Sequence, residues 1–225
     1  MRNLLIKVLV VLCVAMGVLA HASTVQVGVP LPGATTFDWG TNGDASPFPS
    51  GSSISAGGFT VTATSGTGAD MSTFIQAPTG AVYNGGFNDG AGVLVTYDLN
   101  SGEYFDTITL QFNQGINYFG TNIESFYFGD YTAYLFLYSG ATQIGSYSVT
   151  GTASGTPGTA AFLGAASDAT DITSVRVYVA DGSGARTPVA IGDTTGGVVP
   201  EPSSMILLGT GLTGMLGAIR RKLQK

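Results

Sequence analysis

Apolar and polar residues alternate at every second position in several runs of a chain rich in Gly, Thr and Ser, and this restricts the fold more than any other feature. Phe59, Val61 and Ala63 alternate with Thr60, Thr62 and Thr64. Ile108, Leu110 and Phe112 alternate with Thr107, Thr109 and Gln111, and Val175, Val177 and Val179 with Arg176 and Tyr178. A strand turns successive side chains to opposite faces, so each run reads as a strand with one face in a core and one in water. Further strands are expected at residues 24–29, 93–97, 125–128, 132–138, 143–149 and 188–191. Among the segments between them are Asn84-Gly85-Gly86, Asn88-Asp89-Gly90, Asn100-Ser101-Gly102, Ser139-Gly140 and Asp181-Gly182-Ser183-Gly184, which admit the backbone conformations of tight turns. Strong helix formers such as Lys, Arg and Glu are scarce, and no amphipathic helix of useful length appears away from the two ends. The expectation is an all-β chain with a single two-sheet β-sandwich of jelly-roll type, because doubled sheets protect strand edges. Residues 33–58 and 151–158, rich in Gly, Ser, Thr and Pro, read as loops, and no internal repeat is present.

The two ends read differently from the body. Arg2 and Lys7 flank the start of an apolar run over residues 8–19, and Ala20-His21-Ala22 offers small residues where signal peptidase reads, so residues 1–22 are expected to be a signal peptide cleaved before Ser23. Cys13 follows Leu12, where a lipoprotein signal needs a small residue, and is read as filler. At the other end, Pro200 and Pro202 fix φ and bias their neighbours toward extended geometry, displaying Glu201 in a strand-like backbone that a protease can read. No charge occurs between Glu201 and Arg220. As a hydrophobic helix, residues 205–219 would reach roughly 22 Å against a hydrocarbon core about 30 Å thick, so flanking Ser203, Ser204 and snorkelling cations must supply the rest. Arg220, Arg221 and Lys222 then act as a stop-transfer group and favour a cytoplasmic end. The organisation expected is a signal peptide (1–22), a β-sandwich ectodomain (23–191), a linker (192–199) and a sorting and membrane-anchor segment (200–225).

The ordered set of Pro200-Glu201-Pro202, apolar segment and basic stop resembles the PEP-CTERM sorting domain of bacterial surface proteins. That resemblance implies recognition and processing by an exosortase, a membrane protease, followed by delivery to the cell surface or an exopolysaccharide matrix. Such tails also carry the label of ice-binding protein C-terminal domain, which describes the tail and not the body. The alternative is a plain single-span anchor after a Pro-rich linker.

Removing residues 1–22 removes Cys13 and His21, the only Cys and the only His. Cys/His zinc sites, Cys-His and Ser-His-Asp nucleophiles, haem ligation and disulfides are then unavailable to the mature chain. Of the Lys and Arg residues only Arg176 and Arg186 lie between 23 and 199, whereas every Asp and Glu except Glu201 does. Such a body repels phosphate backbones and anionic lipid, so nucleic acid is not expected as a partner and the membrane is reached only through the C-terminal segment.

Candidate sites were weighed against ordinary structural roles. Tyr134, Phe136 and Tyr138 occupy one face of an expected strand, opposite Ala133, Leu135 and Leu137. They form either a glycan-stacking platform, with Tyr127 and Tyr131 at its margin and Asn117, Asn122 and Asp130 as polar contacts, or the second buried face of a strand. Trp39, in a Gly-rich loop, is either a ligand-stacking residue or packing under that loop. Asp38 to Asp44 lacks the ligand pattern of an EF-hand; the Asp-Gly and Asn-Gly turns suit a structural calcium ion or turn chemistry alone, and no metal site is assigned. Glu103 and Glu124 are read as ordinary carboxylates, not as a glycosidase pair, and no enzyme is expected. Threonine rows at 60, 62, 64 and at 107, 109 are too short for an ice-binding face. The expected function is that of an exported surface or matrix protein, with a carbohydrate-binding module as the alternative.

Overall fold

The computed structural model describes residues 23–76, 83 and 85–199. The signal peptide (1–22), the sorting residues Pro200, Glu201 and Pro202, the anchor helix and the stop-transfer residues Arg220, Arg221 and Lys222 lie outside the described residues. Among the described residues no helix is long and apolar enough to cross a membrane.

The body is all-β. In chain order its strands are β1 (Thr24–Val27), β2 (Thr35–Phe37), β3 (Ser46–Phe48), β4 (Ser53–Ala56), β5 (Phe59–Ser65), β6 (Met71–Ile75), β7 (Gly92–Val95) and β8 (Thr107–Ile116). They continue as β9 (Tyr118–Ser125), β10 (Gly129–Ser139), β11 (Thr142–Ala153), β12 (Ala161–Ser167), β13 (Ile172–Asp181), β14 (Arg186–Thr187) and β15 (Val189–Gly197). One 3-10 turn, Trp39–Asn42, separates β2 from β3. An eight-stranded antiparallel sheet has the order β1-β12-β9-β15-β7-β6-β3, with β2 also paired to β15, and a seven-stranded antiparallel sheet has the order β11-β10-β13-β8-β5-β4, with β14 on β13.

Period-2 patterning explains how the sheets meet. Val61 and Ala63, Ile108 and Leu110, Ala133, Leu135 and Leu137, and Val175, Val177 and Val179 all leave the seven-stranded sheet on one face. They join Phe119, Ile123, Leu163, Ala165 and Ile191 of the eight-stranded sheet in one core, the arrangement of a two-sheet β-sandwich. The eight-stranded sheet is covered on its other face as well. Phe74, Val93, Val95 and Ala190 pack there with Tyr83 and Phe87 in a second cluster, so β7 and β15 are buried on both sides.

The structure corrects several expectations. Residues 192–199 are not a linker: through Gly197 they form the second half of β15, which pairs with β9 on one edge and with β7 and then β2 on the other. A strand covered on both faces has no polar side to alternate, so its Gly-Asp-Thr-Thr-Gly-Gly run carries no strand signature. The glycines answer to packing, since a Cβ at Gly192 would stand 2.7 Å from the Phe87 ring. Residues 125–128 are not a strand throughout; β9 ends at Ser125 and the next three residues form the bend into β10. Residues 33–58 hold β2, the 3-10 turn, β3 and β4, and β6, β9 and β12 are strands that the alternation did not mark.

Candidate functional site

The aromatic face of β10 is half-buried, and Tyr134 and Phe136 line a surface recess of about 460 Å³ with Tyr147 and Tyr178. Tyr134 and Phe136 are partly buried on the outer face of the seven-stranded sheet and stack on Tyr178 of β13, with centroids 4.7 and 5.7 Å away. The Arg186 guanidinium lies over the Tyr178 ring at 4.4 Å and Arg176 lies 5.7 Å from Tyr138, so cation–π contacts engage two of these rings. Tyr131 and Trp39 are not on it. Tyr131, 2% exposed, donates its hydroxyl to the Ile123 carbonyl at 2.7 Å, pointing between the sheets. Trp39 is fully buried, edge-on to Phe48, and its Nε1–H donates to Thr194 Oγ1 at 3.1 Å. Asn122 Nδ2 donates to the Ala160 carbonyl and Asp130 accepts from the Thr152 hydroxyl, while Asn117 lies at a sheet end.

That end is where the chain leaves the sandwich. Asn117, between β8 and β9, donates from Nδ2 to the Val199 carbonyl and accepts from the Val199 N–H at Oδ1, both at 2.7 Å. This two-bond clamp holds the residue immediately before Pro200. The Asn117 carbonyl also accepts from the Ser167 N–H, and Ser23 and Asp168 exchange two bonds next to it. Both boundaries of the described chain, Ser23 and Val199, therefore share one rim of the sandwich.

The opposite rim carries a feature that spacing did not reveal. β15 begins there, with Val189 opposite Ser125, and its course to Gly197 opposite Tyr118 covers about 26 Å at about 3.3 Å per residue. Tyr97 and Tyr104 face each other across a short loop and stack at 4.7 Å. Tyr104 then meets Phe126 at 5.3 Å and Tyr127 at 5.8 Å. Tyr104, Tyr127 and Phe128 are 42%, 50% and 68% exposed. Beside them a cleft of about 240 Å³ is lined by Tyr83, Gly85, Glu124 and residues 125–128. Of the residues expected at a glycan site only Tyr127 belongs here. The adjacent aromatics Phe126, Tyr127 and Phe128 were the available signal, hidden by their resemblance to a strand.

Glu124 forms the base of the cleft, 1% exposed. The Gly86 N–H donates to both carboxylate oxygens, at 3.0 and 2.9 Å, and the Tyr83 hydroxyl donates to Oε1 at 2.9 Å. Only glycine permits this approach: a Cβ at Gly85 would lie 2.0 Å from Oε1, and one at Gly86 2.8 Å from Oε2. Burial pushes the Glu124 carboxyl up to about 6, against the opposing pull of these hydrogen bonds. Burial, reinforced by the Glu124 charge, raises Tyr83 well above its ordinary value, so Tyr83 remains a donor. Glu103 stands exposed in the turn that follows Asp98, away from such contacts.

Other candidate groups are engaged in structure. Asp38 Oδ1 accepts from the Gly40 N–H at 2.8 Å and caps the 3-10 turn; Asp44 Oδ1 accepts from the Ile75 N–H at 2.9 Å. Burial first, and the Asp38 charge second, push Asp193 up to about 6. Among the described residues no group of three or more His, Cys, Asp or Glu side chains is placed to hold a metal. The Thr60 and Thr62 hydroxyls pair with Ser55 and Ser53 at 2.7 Å, which takes up much of that row's capacity to meet an ice lattice.

No curated protein matches the chain significantly. Residues 198–222, which begin where β15 ends, match the model of the PEP-CTERM protein-sorting motif, and the chain carries that motif.

Proposed function

We propose that this chain is an exported bacterial protein whose β-sandwich is displayed at the cell surface or in an exopolysaccharide matrix after exosortase processing at Pro200-Glu201-Pro202, and that it acts there without catalysis. The observation that carries the reading is the PEP-CTERM motif at 198–222, joined without a spacer to a central strand of an all-β body. In this reading signal peptidase frees Ser23, residues 205–219 tether the chain in the inner membrane, and Arg220, Arg221 and Lys222 stop its transfer. A structural or adhesive role is supported by residue chemistry: with Cys13 and His21 confined to residues 1–22, the body has no thiol or imidazole, and both oxygens of its one deeply buried carboxylate are held by Gly86 and Tyr83. Carbohydrate binding is the second reading, favoured by the exposed aromatics beside the Glu124 cleft.

Mass spectrometry of the mature protein from its own cells tests the sorting. The expected species begins at Ser23 and has lost the tail near Pro200, and a strain without the exosortase retains it. A mature chain that ends at Lys225 in both strains would refute exosortase processing.

A further inference from the structure

We propose that the cleft along the β9–β10 bend, lined by Tyr83, Gly85 and residues 124–128, binds a neutral saccharide stacked on Tyr127 and Phe128, with Tyr104 beside Tyr127. The assignment deepens the carbohydrate-binding reading above and rests on it. Exposure is the first reason. Most large apolar residues here are buried, yet Tyr104 and Tyr127 stand 42% and 50% exposed against Phe126, which packs on the second core, and Phe128, 68% exposed, lines the cleft. Phe126 meets Tyr83 at 6.1 Å and Tyr97 at 6.1 Å, and the Phe126 N–H donates to the Pro188 carbonyl, so the rings rise from a built support.

The surface chemistry selects the ligand class. A sugar ring offers an apolar C–H face to an aromatic ring and hydroxyls to polar groups at its edge; the exposed Tyr104 and Tyr127 each bring a ring face and a phenol hydroxyl, donor and acceptor, to this surface. A polyanionic glycan finds no cation. Among the described residues, Arg186 pairs with Asp106 at 3.1 Å and covers Tyr178, and Arg176 lies against Tyr138. A second copy of the chain is disfavoured by size: an aromatic side chain buries about 150–250 Å², so three partly exposed rings fall short of the roughly 800 Å² per partner of a stable interface. Position agrees, because the cleft lies on the rim opposite Ser23 and Val199, facing away from any tether that follows.

The test uses the full chain in a zwitterionic detergent without a sugar headgroup, titrated with cello-, xylo-, manno- and chito-hexaose, and with an alginate oligomer as the anionic probe. Wild type is expected to bind at least one neutral hexaose and not alginate. Tyr127→Ala and Phe128→Ala should each weaken that binding tenfold or more without moving the melting temperature, since both side chains are exposed. Tyr134→Ala should leave it unchanged. Absence of binding to every neutral probe, binding to alginate alone, or undiminished binding in the Tyr127→Ala, Phe128→Ala double variant would overturn the assignment. So would loss on Tyr134→Ala alone, which moves the site to β10, or a concentration-dependent dimer that Phe128→Ala abolishes. These results are independent of the C-terminal mass, so failure of the binding site and failure of the sorting reading are distinguishable.

Discussion

Replacing Glu124 by Gln isolates the energetic cost of ionising a carboxyl held beneath the outer aromatic cluster. The folded protein holds this group at about 6, above the ordinary glutamate value of 4.5. A folded pKa above the unfolded one means that the native state prefers the proton. The penalty is absent below 4.5, grows as pH rises toward 6, and is complete above that. A difference of about 1.5 units at about 1.36 kcal/mol each makes it about 2 kcal/mol. Gln keeps one acceptor oxygen for the Gly86 N–H but sets its amide nitrogen against that N–H in place of the second oxygen; this donor–donor cost is the same at every pH and drops out of the pH dependence, while the titration disappears. Urea unfolding followed through Trp39, the only Trp and fully buried, supplies the measurement. The stability of Glu124→Gln relative to wild type should improve by about 2 kcal/mol between pH 4 and pH 8. Asp193 titrates in both proteins and cancels in the comparison. A pH-independent difference, or one that favours wild type at alkaline pH, would refute the reasoning.

Asp193→Asn removes a second carboxyl held at about 6, and its stabilising effect should grow from the ordinary Asp value of 3.8 upward and be complete above about 6, at about 1 kcal/mol once reduced for solvent screening; melting temperatures at pH 3 and pH 8 check it, the gain being absent at pH 3 and full at pH 8. Asn117→Ala deletes both bonds to Val199 and should cost about 1–3 kcal/mol, with faster limited proteolysis at residues 198–199 as the second readout; unchanged melting and cleavage would show the clamp to be idle. Gly86→Ala drives a Cβ to within 2.6 Å of Thr159 Oγ1 and 2.8 Å of the Ala160 nitrogen, and should cost about 3 kcal/mol or more in urea unfolding, whereas Gly90→Ala, with nothing within 4 Å and φ +79°, should cost only its backbone strain of about 1 kcal/mol.

What the sequence disclosed depended on whether a strand has one covered face or two. Val175, Val177 and Val179, and Ile108 and Leu110, alternate because their sheet has a wet side, and the structure buries those residues as the alternation predicts. β15 has no wet side, so its glycines and threonines read as a linker although it lies at the centre of a sheet. Trp39 read as a loop residue for a related reason: β2, the 3-10 turn and β3 are too short for a period to register, and only the neighbouring Phe37 and Phe48 hinted at a local core. The buried Glu124 contact beneath the cleft was invisible in principle, although Phe126, Tyr127 and Phe128 signalled the rings above it. The carboxylate meets Gly86 from 38 positions away, and Asn84-Gly85-Gly86 reads as a turn whether or not a buried anion needs the space left by the missing side chains. The tail was legible because its signal is linear: proline, acid, proline, apolar run and base in one order.

The union of sorting motif and β15 has a mechanical outcome. Ladder bonds in an antiparallel pair run perpendicular to the strands, so tension applied beyond Val199 along the axis of β15 loads its bonds to β9, β7 and β2 together, in shear, instead of peeling them one at a time. A domain pulled through an edge strand would unzip; this one is gripped by its middle, and drag on the body is borne by a strand paired along both of its edges.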